Sequence, residues 1–395
     1  MAGGAIGVIY RTPELGPAEK AALDAIDGQR RALRFRTAEP RRWLGTVRRV
    51  LAARAVQGSN SIEGIHVSVE DAIAVAEGEE TTDPRSLDSK AVAGYQRAMT
   101  YVVNLAGDQH FRFSADILRS LHFMMTEYEL DAWPGRWRPG PIWVRDEASG
   151  DEVYAAPEAE DVPALIDALV ASLEEASEAP PLVRAAMAHL NLVMIHPFRD
   201  GNGRMSRCLQ TLVLAREKIL TPDLCSIEEY LGRNTQRYYD VLAEVGQGSW
   251  KPGGDARAWI RFCLEAHYVQ AASVIRRLDE SGRIWSEIER LRDDAGLGER
   301  TIAALFDAAI GLQVRNAAYR SQLRGWDEQI SNQTASADLR AMVAAGLLVQ
   351  RGKNRGAYYV AADRLRAVRT AARKERTPID TSGLFAPDRS VSTIR

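Results

Sequence analysis

Residues 191–207 read NLVMIHPFRDGNGRMSR, and this stretch brings several chemically active side chains close together. His196 can exchange a proton near neutral pH, and Asp200 offers the oxygen ligands that Mg²⁺ prefers. Arg204 and Arg207 are three positions apart and would share one face of a helix. Two cations at the start of a helix oppose its dipole unless they bind an anion. The pattern favours a phosphate-binding site, and a polar corner between two helices is the simpler alternative.

The elements around this stretch are expected to position these groups. Pro197 disfavours helical geometry in the residue before it, so we expect the apolar helix 182–195 to end there. A second helix is predicted to begin at Gly203. Gly201, Asn202 and Gly203 would then lie at a helix N-terminus, where free backbone N–H groups and the positive end of the dipole bind anions.

Single residues of this stretch allow other interpretations. A lone histidine at the end of a helix is more often structural than catalytic. His189 and His196 could also join Asp200 as metal ligands, because imidazole and carboxylate groups both bind metal ions. The chain contains no Walker A lysine motif, so the glycine-containing turn would have to bind the phosphate in its place.

The segment His196–Arg207, HPFRDGNGRMSR, resembles the signature loop of the Fic (Fic/Doc) family, HxFx[D/E]GNGRxxR, at every specified position. The resemblance implies a helical Fic core that usually transfers AMP from ATP to a protein hydroxyl and releases pyrophosphate. It implies that His196 is the general base for a serine, threonine or tyrosine hydroxyl, and that Phe198 anchors the loop in the core. Asp200 would bind the Mg²⁺ that the α- and β-phosphates hold. The implied ligands of the phosphates are Gly201, Asn202, Gly203, Arg204 and Arg207.

A second motif lies upstream, in QGSNSIEGIHVS at residues 57–68. Ser59 and Glu63 are four positions apart, and Gly64 indicates a helix end. A carboxylate near a helix C-terminus is disfavoured by the dipole, although a solvated glutamate at a frayed end is the common case. The stretch resembles the [S/T]xxxE[G/N] inhibitory motif of Fic proteins. The resemblance implies that Glu63 pairs with Arg207 and withdraws it from the γ-phosphate, and that Ser59 holds the helix against the core.

Two further regions carry weaker signals. Residues 142–154 contain short β-prone runs on either side of an acidic turn, which predicts a hairpin. The resemblance makes this hairpin a flap that binds the target polypeptide, and a hairpin that only covers the core is the alternative. Residues 228–242 resemble the family segment near the nucleotide base. This implies adenine contacts for Asn234 and Tyr239, although a tyrosine on a helix is more often part of the core.

The C-terminal part of the chain is more basic than the rest. Between Ile284 and Arg376 there are 16 Arg and Lys residues against 11 Asp and Glu residues. Residues 332–360 resemble a winged helix, with 334–345 as its recognition helix and 351–355 as its wing. The positive charge fits contact with DNA phosphates, and such modules also bind proteins. A nucleotide-sensing DNA-binding regulator is thus an alternative function, and removal of AMP, another nucleotide donor or a phosphocholine donor are alternatives within the enzyme class.

The composition of the 395-residue chain is typical of a soluble globular protein, with 46% apolar and 26% charged residues. A net charge of -2 argues against a protein that coats nucleic acid. Cys208, Cys225 and Cys263 lie far apart, which favours a reducing cytoplasm over a disulfide framework or zinc site. The sequence shows neither a secretory signal nor an apolar run long enough to cross a membrane.

We therefore predict a mainly α protein, with a Fic-type helical core, a β-hairpin flap and a small C-terminal winged-helix domain. The expected ligands are ATP and Mg²⁺. The expected partner is a hydroxyl of a target protein, which could be the same chain, and residues 284–362 could contact DNA. The predicted segments are an N-terminal helical region with the inhibitory helix (1–108), the Fic core (109–278), the winged-helix-like domain (284–362) and a flexible tail (377–395). The predicted helices are 43–57, 89–105, 114–128, 161–176, 182–195 and 203–217.

Overall fold

The chain forms two compact units in the computed structural model. The larger unit comprises Met1–Arg31, Leu51–Ala271 and Asp380–Arg395, and the smaller comprises Ala32–Val50 and Ala272–Ile379, each over its described residues. The finer division into four segments stays a prediction. The structure describes residues 8–77, 83–145, 150–175, 177–217, 221, 224, 226–353, 356–374 and 376–386.

The protein is mainly helical, as predicted, with two short antiparallel hairpins. The helices are α1 (Pro17–Ala38), α2 (Leu44–Ser61), α3 (Val69–Glu77), α4 (Leu87–Gly107), α5 (Ala115–Thr126), α6 (Val162–Glu174), α7 (Pro181–Ile195), α8 (Asn202–Arg216), α9 (Glu228–Arg233), α10 (Thr235–Gly246), α11 (Arg257–Asp294), α12 (Ile302–Ile310), α13 (Asn316–Arg324), α14 (Asn332–Ala344) and α15 (Asp363–Arg373). The strands are β1 (Trp143–Arg145), β2 (Glu152–Ala155), β3 (Leu348–Arg351) and β4 (Tyr358–Ala361).

All six helices predicted from periodicity are present, and their ends differ from the prediction by no more than four residues. The largest difference is in α2, which continues to Ser61, so that Glu63 lies in the turn after the helix. Gly64 has a φ of 71°, the left-handed conformation that glycine tolerates best. The start of α5 follows a common rule, because Ser114 Oγ accepts a hydrogen bond from the backbone N–H of Ile117.

Helices α7 and α8 form the centre of the larger unit, and nearly all residues of both are buried. A helix that is buried on every side requires neighbours on every side, and α4, α5 and α6 pack around this pair. Helix α7 ends at His196, which is left-handed with φ 51° and ψ 56°. Helix α8 starts after Gly201, which has a φ of 74°. The predicted loop thus lies between two buried helix ends.

The predicted flap is a hairpin of β1 and β2, in which Trp143 pairs with Ala155 and Val144 with Tyr154. An irregularity between Val144 and Arg145 marks a bulge. The outer side of β2 pairs with Ser249 through an isolated bridge at Ala155. Within the described part of the chain no strand pairs with the outer edge of β1. The turn of the hairpin, residues 146–149, lies outside the described residues.

In the smaller unit, α12 to α14 precede the antiparallel hairpin of β3 and β4, and α15 follows it. Val314, which lies between α12 and α13, forms an isolated bridge with Tyr359. In α14, Asp338 accepts two hydrogen bonds from Arg300, at 2.7 and 3.0 Å. Residues 354 and 355 of the predicted wing are outside the described residues, and the winged-helix identity of this unit and its contact with DNA stay predictions.

Two of the whole-chain expectations can be compared with the structure. Among the helices that the structure describes, none is long and apolar enough to cross a membrane. Cys208 and Cys263 are buried free thiols, and Cys225 lies outside the described residues.

Candidate active site

His196 lies at the C-terminus of α7 with its ring half-buried. Its Nδ1 is 3.1 Å from the carbonyl oxygen of Val193, and because a carbonyl can only accept, Nδ1 carries the proton. In the neutral ring Nε2 then has a free lone pair. Burial lowers the pKa of His196, the hydrogen bond to Val193 opposes this, Arg138 lowers the pKa further, and Glu63 and Asp200 oppose it. His196 can therefore act as a neutral base near pH 7.

The Asn202 side chain closes the loop between α7 and α8. Its Oδ1 accepts the N–H of Phe198, and its Nδ2 donates to the carbonyl of the same residue, both at 2.9 Å. Asn202 is 2% exposed, so its side chain stabilises the loop and only its backbone is placed to face a phosphate. Phe198 is fully buried, which agrees with the anchoring role that the resemblance implies.

His122 on α5 holds the loop from the other side, and the sequence reasoning missed it. Its ring stacks on Phe198 at 3.7 Å between centroids. Its Nδ1 accepts the N–H of Gly135, so Nε2 carries the proton and donates to the carbonyl of Asp200 at 2.9 Å. Burial lowers the pKa of His122 to about 4, which keeps the ring neutral at pH 7. The neutral ring therefore helps to fix the backbone of Asp200.

The N-terminus of α8 lies against a carboxylate. A Cβ atom on Gly203 would collide with Oε1 of Glu63, so glycine at this position lets the carboxylate approach the helix backbone. Carboxylates are favoured at helix N-termini by the free N–H groups and the dipole. The carboxylate of Glu63 therefore lies at the N-terminus of α8, and binding of a phosphate at this place stays a prediction.

Arg207 connects this carboxylate to α2. Its Nη2 is 2.6 Å from Oε1 of Glu63, which is the ion pair that the family resemblance implies. Its Nε donates to Ser59 Oγ at 2.7 Å, and Nη2 donates to the Ser59 carbonyl at 2.9 Å. Burial alone would lower the pKa of Arg207, but Glu63 raises it, so the side chain stays charged.

One nitrogen of the Arg207 guanidinium makes no hydrogen bond to the described residues. The side chain is 1% exposed, and its Nη1 has no hydrogen-bond partner among the described residues. Nη1 lies about 3.0 Å from the place where a Cβ of Gly203 would be, so it is directed toward the N-terminus of α8. A buried guanidinium donor without a partner is costly, and an anion at this helix end would satisfy it.

Arg204 and Asp200 form the other side of the site. Arg204 is buried, and its Nη2 is 3.1 Å from Oδ2 of Asp200, while Nη1 donates to the hydroxyl of Tyr128 at 3.2 Å. The Asp200 side chain is 53% exposed. Mg²⁺ is commonly held by one or two carboxylates together with phosphate oxygens and water, so Asp200 fits as the single protein ligand of a nucleotide-bound Mg²⁺.

The alternative metal site at His189 is wrong. His189 is fully buried, its Nδ1 contacts Gln210 Oε1 at 2.6 Å, and its Nε2 contacts the hydroxyl of Tyr238 at 3.0 Å. Burial lowers its pKa to about 3, so it is a neutral core residue. The structure shows no group of three His, Cys, Asp or Glu side chains that could hold a metal ion in the part of the chain it describes.

The residues predicted to contact adenine have protein partners. Asn234 Nδ2 donates to the carbonyl of Tyr230 at 2.8 Å. The hydroxyl of Tyr239 donates to the carbonyl of Ile62 at 3.0 Å, next to Glu63 in sequence. Tyr239 is 42% exposed, so the alternative of a core tyrosine is wrong. Contact of Asn234 and Tyr239 with the base stays a prediction.

Two residues of the hairpin region also reach the end of α7, and the sequence reasoning missed both. Arg138 is 4% exposed, and its Nε donates to the His196 carbonyl at 2.9 Å. The hydroxyl of Tyr154 on β2 donates to the carbonyl of Met194 at 2.8 Å. A signal existed for Arg138, because an arginine between Trp137 and Pro139 directly before a hairpin is an unusual place for a solvent-exposed charge.

Comparison with known proteins finds a family resemblance over part of the chain. A family model described as Fic/DOC family matches residues 112–214. This stretch is thus similar to the Fic/DOC family. It contains His122, His196, Arg204 and Arg207, so most of the geometry described above lies within the matched stretch, and α2 with Glu63 lies outside it.

Curated relatives of the Fic domain are distant. Residues of this chain are 28% identical over 207 positions to the protein adenylyltransferase Fic of Nematostella vectensis, covering 52% of this chain and 44% of the relative. They are 29% identical over 211 positions to the protein of the same name from Aedes aegypti, covering 52% and 38%. The chain thus spans less than half the length of the curated relatives it matches.

Solved structures show the same fold. A Fic family protein from Desulfovibrio desulfuricans G20 superimposes with a TM-score of 0.54 at 22% identity, covering 90% of this chain and 99% of that one. A Fic domain containing signaling protein from Bacteroides thetaiotaomicron gives 0.54 at 17% identity, covering 66% and 96%. At these identities the likeness establishes the mainly helical Fic fold.

Proposed function

We propose that this protein is a self-inhibited protein adenylyltransferase. It transfers AMP from ATP to a serine, threonine or tyrosine hydroxyl of a target protein, and pyrophosphate leaves. The observation that carries the proposal is the contact of Arg207 with Glu63 at the N-terminus of α8, where the Fic signature residues require a phosphate. The distant relationship to proteins named adenylyltransferase supports the chemistry.

The reaction follows from the position of each group. His196 Nε2 removes the proton of the target hydroxyl, whose oxygen then forms a bond to the α-phosphorus. The bond between the α-phosphorus and the bridging oxygen breaks, and that oxygen leaves as part of pyrophosphate. The N-terminus of α8, Arg204 and Arg207 stabilise the negative charge on the phosphates, because such transfer depends mainly on positioning and charge stabilisation.

Asp200 is the proposed Mg²⁺ ligand. When bound, Mg²⁺ supplies charge neutralisation between the α- and β-phosphates. The protein contributes the orientation of Asp200, which His122 fixes through the backbone carbonyl and Arg204 through the side chain.

Glu63 inhibits the enzyme by competing with ATP for Arg207. The carboxylate lies where a terminal phosphate would approach the helix, and it holds the Nη2 donor of Arg207. The carboxylate and a phosphate bound at the same place would repel each other, because both are negatively charged. ATP can therefore bind productively only after Glu63 has moved away.

The hairpin of β1 and β2 is the proposed binding site for the target segment. Its β1 strand has an outer edge that no described strand covers, and Trp143 and Val153 are large apolar side chains that remain exposed. An extended peptide can pair with such an edge through main-chain hydrogen bonds. The hydroxyl of Tyr154 also bonds the hairpin to the end of α7, and this contact supports a target segment bound near His196.

The test is transfer of label from α-³²P-ATP, with Mg²⁺ present, to the protein itself and to proteins of a cell lysate. Glu63→Gly should raise labelling by about 10- to 100-fold, because a hydrogen bond to a charged group is worth about 1.5–3 kcal/mol. His196→Ala in the Glu63→Gly background should lower it by about 10²- to 10⁴-fold. Mass spectrometry of the labelled proteins identifies the target and the modified side chain.

A matched control separates inhibition from simple loss of an ion pair. Glu217→Gly breaks the ion pair of Glu217 with Arg184 at the opposite end of α8 and should leave labelling unchanged. Absence of labelling by Glu63→Gly with ATP, other nucleotides and CDP-choline would contradict the proposal. Loss of activity by Glu63→Gly on an AMPylated protein would instead support AMP removal, with Glu63 orienting water.

A further inference from the structure

Arg138 makes an unusual set of contacts for a buried arginine. Its Nε donates to the His196 carbonyl at 2.9 Å, its Nη1 donates to the Gly140 carbonyl at 2.7 Å, and its Nη2 donates to the Pro157 carbonyl. Its backbone N–H donates to the Pro197 carbonyl at 2.9 Å. Gly140 precedes β1 and Pro157 follows β2, so one side chain joins both ends of the hairpin to His196.

The position of His196 depends on such contacts. A φ of 51° places a residue that is not glycine in the left-handed region, which is unfavourable and persists only where the surroundings enforce it. The last carbonyls of α7 would also lack partners without help. Tyr154 binds that of Met194, the His196 ring binds that of Val193, and Arg138 binds that of His196 itself.

The charge of Arg138 is a second reason to single it out. Its side-chain hydrogen bonds go to neutral carbonyls, and within the described residues it forms no ion pair with a carboxylate. The positive charge lies beside an imidazole that must stay neutral to act as a base. The charged groups that act on His196 are Arg138, Glu63 of the turn after α2, and Asp200 of the loop, and Arg138 alone disfavours protonation.

We propose that Arg138 is a positioning residue for the transfer reaction, which holds His196 in its left-handed conformation and joins it to the base of the hairpin. The inference rests on the proposed function and adds to it a residue that does not touch the reacting atoms. It predicts that the geometry and the protonation of His196 change together when Arg138 is replaced.

The experiment compares Arg138→Met and Arg138→Lys in the Glu63→Gly background, with folding checked by thermal unfolding. Arg138→Met should lower kcat by about 100-fold, because small displacements of a reacting group have effects of this size. The KM for ATP should change by less than about threefold, because ATP binding does not involve this end of the loop. The midpoint of the fall in kcat at low pH should rise by roughly one pH unit, because loss of the positive charge of Arg138 raises the pKa of His196.

Arg138→Lys separates the two effects. Lysine keeps the charge but cannot reach three carbonyls in different directions. It should therefore lower kcat while leaving this midpoint within about 0.3 unit of the parent. Arg184→Met is the matched control, because Arg184 also donates to a carbonyl, that of Leu173, but lies at the start of α7. It should lower stability without moving kcat or the pH profile.

NMR titration of the His196 ring gives a readout that needs no activity. The chain has 6 histidines, and His196→Ala assigns the signal. The pKa of His196 should rise in Arg138→Met and stay unchanged in Arg138→Lys and Arg184→Met. If Glu63→Gly shows no transfer, the proposed function fails while this titration still tests Arg138. A folded Arg138→Met protein with the parent's kcat and His196 pKa would overturn the inference.

Discussion

The two ends of the segment from His196 to Arg207 are held in different ways. At the His196 end, Arg138 and Tyr154 donate to backbone carbonyls, and these contacts cannot be replaced by a ligand. At the Arg207 end, the charged partner is the carboxylate of Glu63, which is negative and accepts hydrogen bonds through its oxygens as a phosphate would. The first end is held by backbone contacts, whereas the second end is held by a carboxylate that, under the proposed function, ATP displaces.

This difference indicates where regulation and catalysis separate. Changes at the Arg207 end should alter nucleotide binding and the degree of inhibition. Changes at the His196 end should alter the rate of the chemical step. The following predictions test that division.

The largest expected effect is on ATP affinity at the Arg207 end. Glu63→Gly should bind ATP with Mg²⁺ about 10- to 100-fold more tightly than the parent, because the competing charge-assisted hydrogen bond is gone. Arg207→Ala in the same background should reverse the gain. Isothermal titration calorimetry measures both, and Glu217→Gly, which removes a carboxylate at the other end of α8, should bind ATP as the parent does. Equal ATP affinity of the parent and Glu63→Gly proteins would contradict the proposed competition between Glu63 and ATP.

The next prediction concerns pH at the His196 end. In the proposed reaction the base form of His196 is the active one, and partial burial of the ring lowers its pKa below the ordinary value of 6.5. In Glu63→Gly at saturating ATP, kcat should be constant above pH 6.5 and fall about tenfold per pH unit below the lowered pKa. Initial rates of transfer measured between pH 5 and 8 give the pH at which kcat is half of its maximum. A midpoint at 6.5 or above would show that burial does not control this group.

Tyr154→Phe is expected to have a moderate effect at the same end. The ring of Tyr154 packs against Gly246, which phenylalanine would preserve, while the hydrogen bond to the Met194 carbonyl would be lost. One neutral hydrogen bond is worth about 1 kcal/mol, so kcat should fall by roughly fivefold with ATP affinity unchanged. Tyr319→Phe removes a buried hydroxyl that bonds Asp338 in the smaller unit, and it should leave kcat unchanged.

The sequence predicts the contacts at the Arg207 end better than those at the His196 end. The signature loop and the Glu63 motif identify the groups that carry charge, because chemistry restricts which residue types can serve. His122 and Arg138 donate to backbone carbonyls 78 and 58 positions away. Every residue has such a carbonyl, so the sequence does not show which ones accept these hydrogen bonds. Asn202 fits the anion-binding pattern in the sequence, but in the structure its side-chain amide bonds the backbone of Phe198 and closes the loop. The sequence alone does not distinguish these two roles.

The fold shows the same division. Helix periodicity predicts the central helices to within four residues, since their burial requires apolar residues at regular spacing. The packing of α2 against the start of α9 could not be predicted in this way. It depends on Gly58 and Gly232, where a Cβ on either would collide with the backbone of the other element. A glycine in a helical pattern indicates permissive backbone but not the partner that approaches it.

The smallest expected effect lies between the two ends, at Tyr239. Its hydroxyl bonds the Ile62 carbonyl, one residue before Glu63, so it helps to hold the turn that we propose to be inhibitory. Tyr239→Phe should raise labelling by about two- to threefold when Glu63 is present, since a partly exposed hydrogen bond is worth at most about 1 kcal/mol. It should have no effect in the Glu63→Gly background, where there is no inhibition left to relieve.

The same residue also tests the predicted adenine contact. Phenylalanine keeps the aromatic ring, so Tyr239→Phe should leave ATP affinity unchanged in the Glu63→Gly background. Tyr239→Ala removes the ring, and loss of stacking should weaken ATP binding by about 1 kcal/mol or more. If calorimetry shows equal affinity for the alanine and phenylalanine variants, Tyr239 acts only on the inhibitory turn. A loss confined to the alanine variant would mean that one tyrosine contacts the nucleotide with its ring and the inhibitory turn with its hydroxyl.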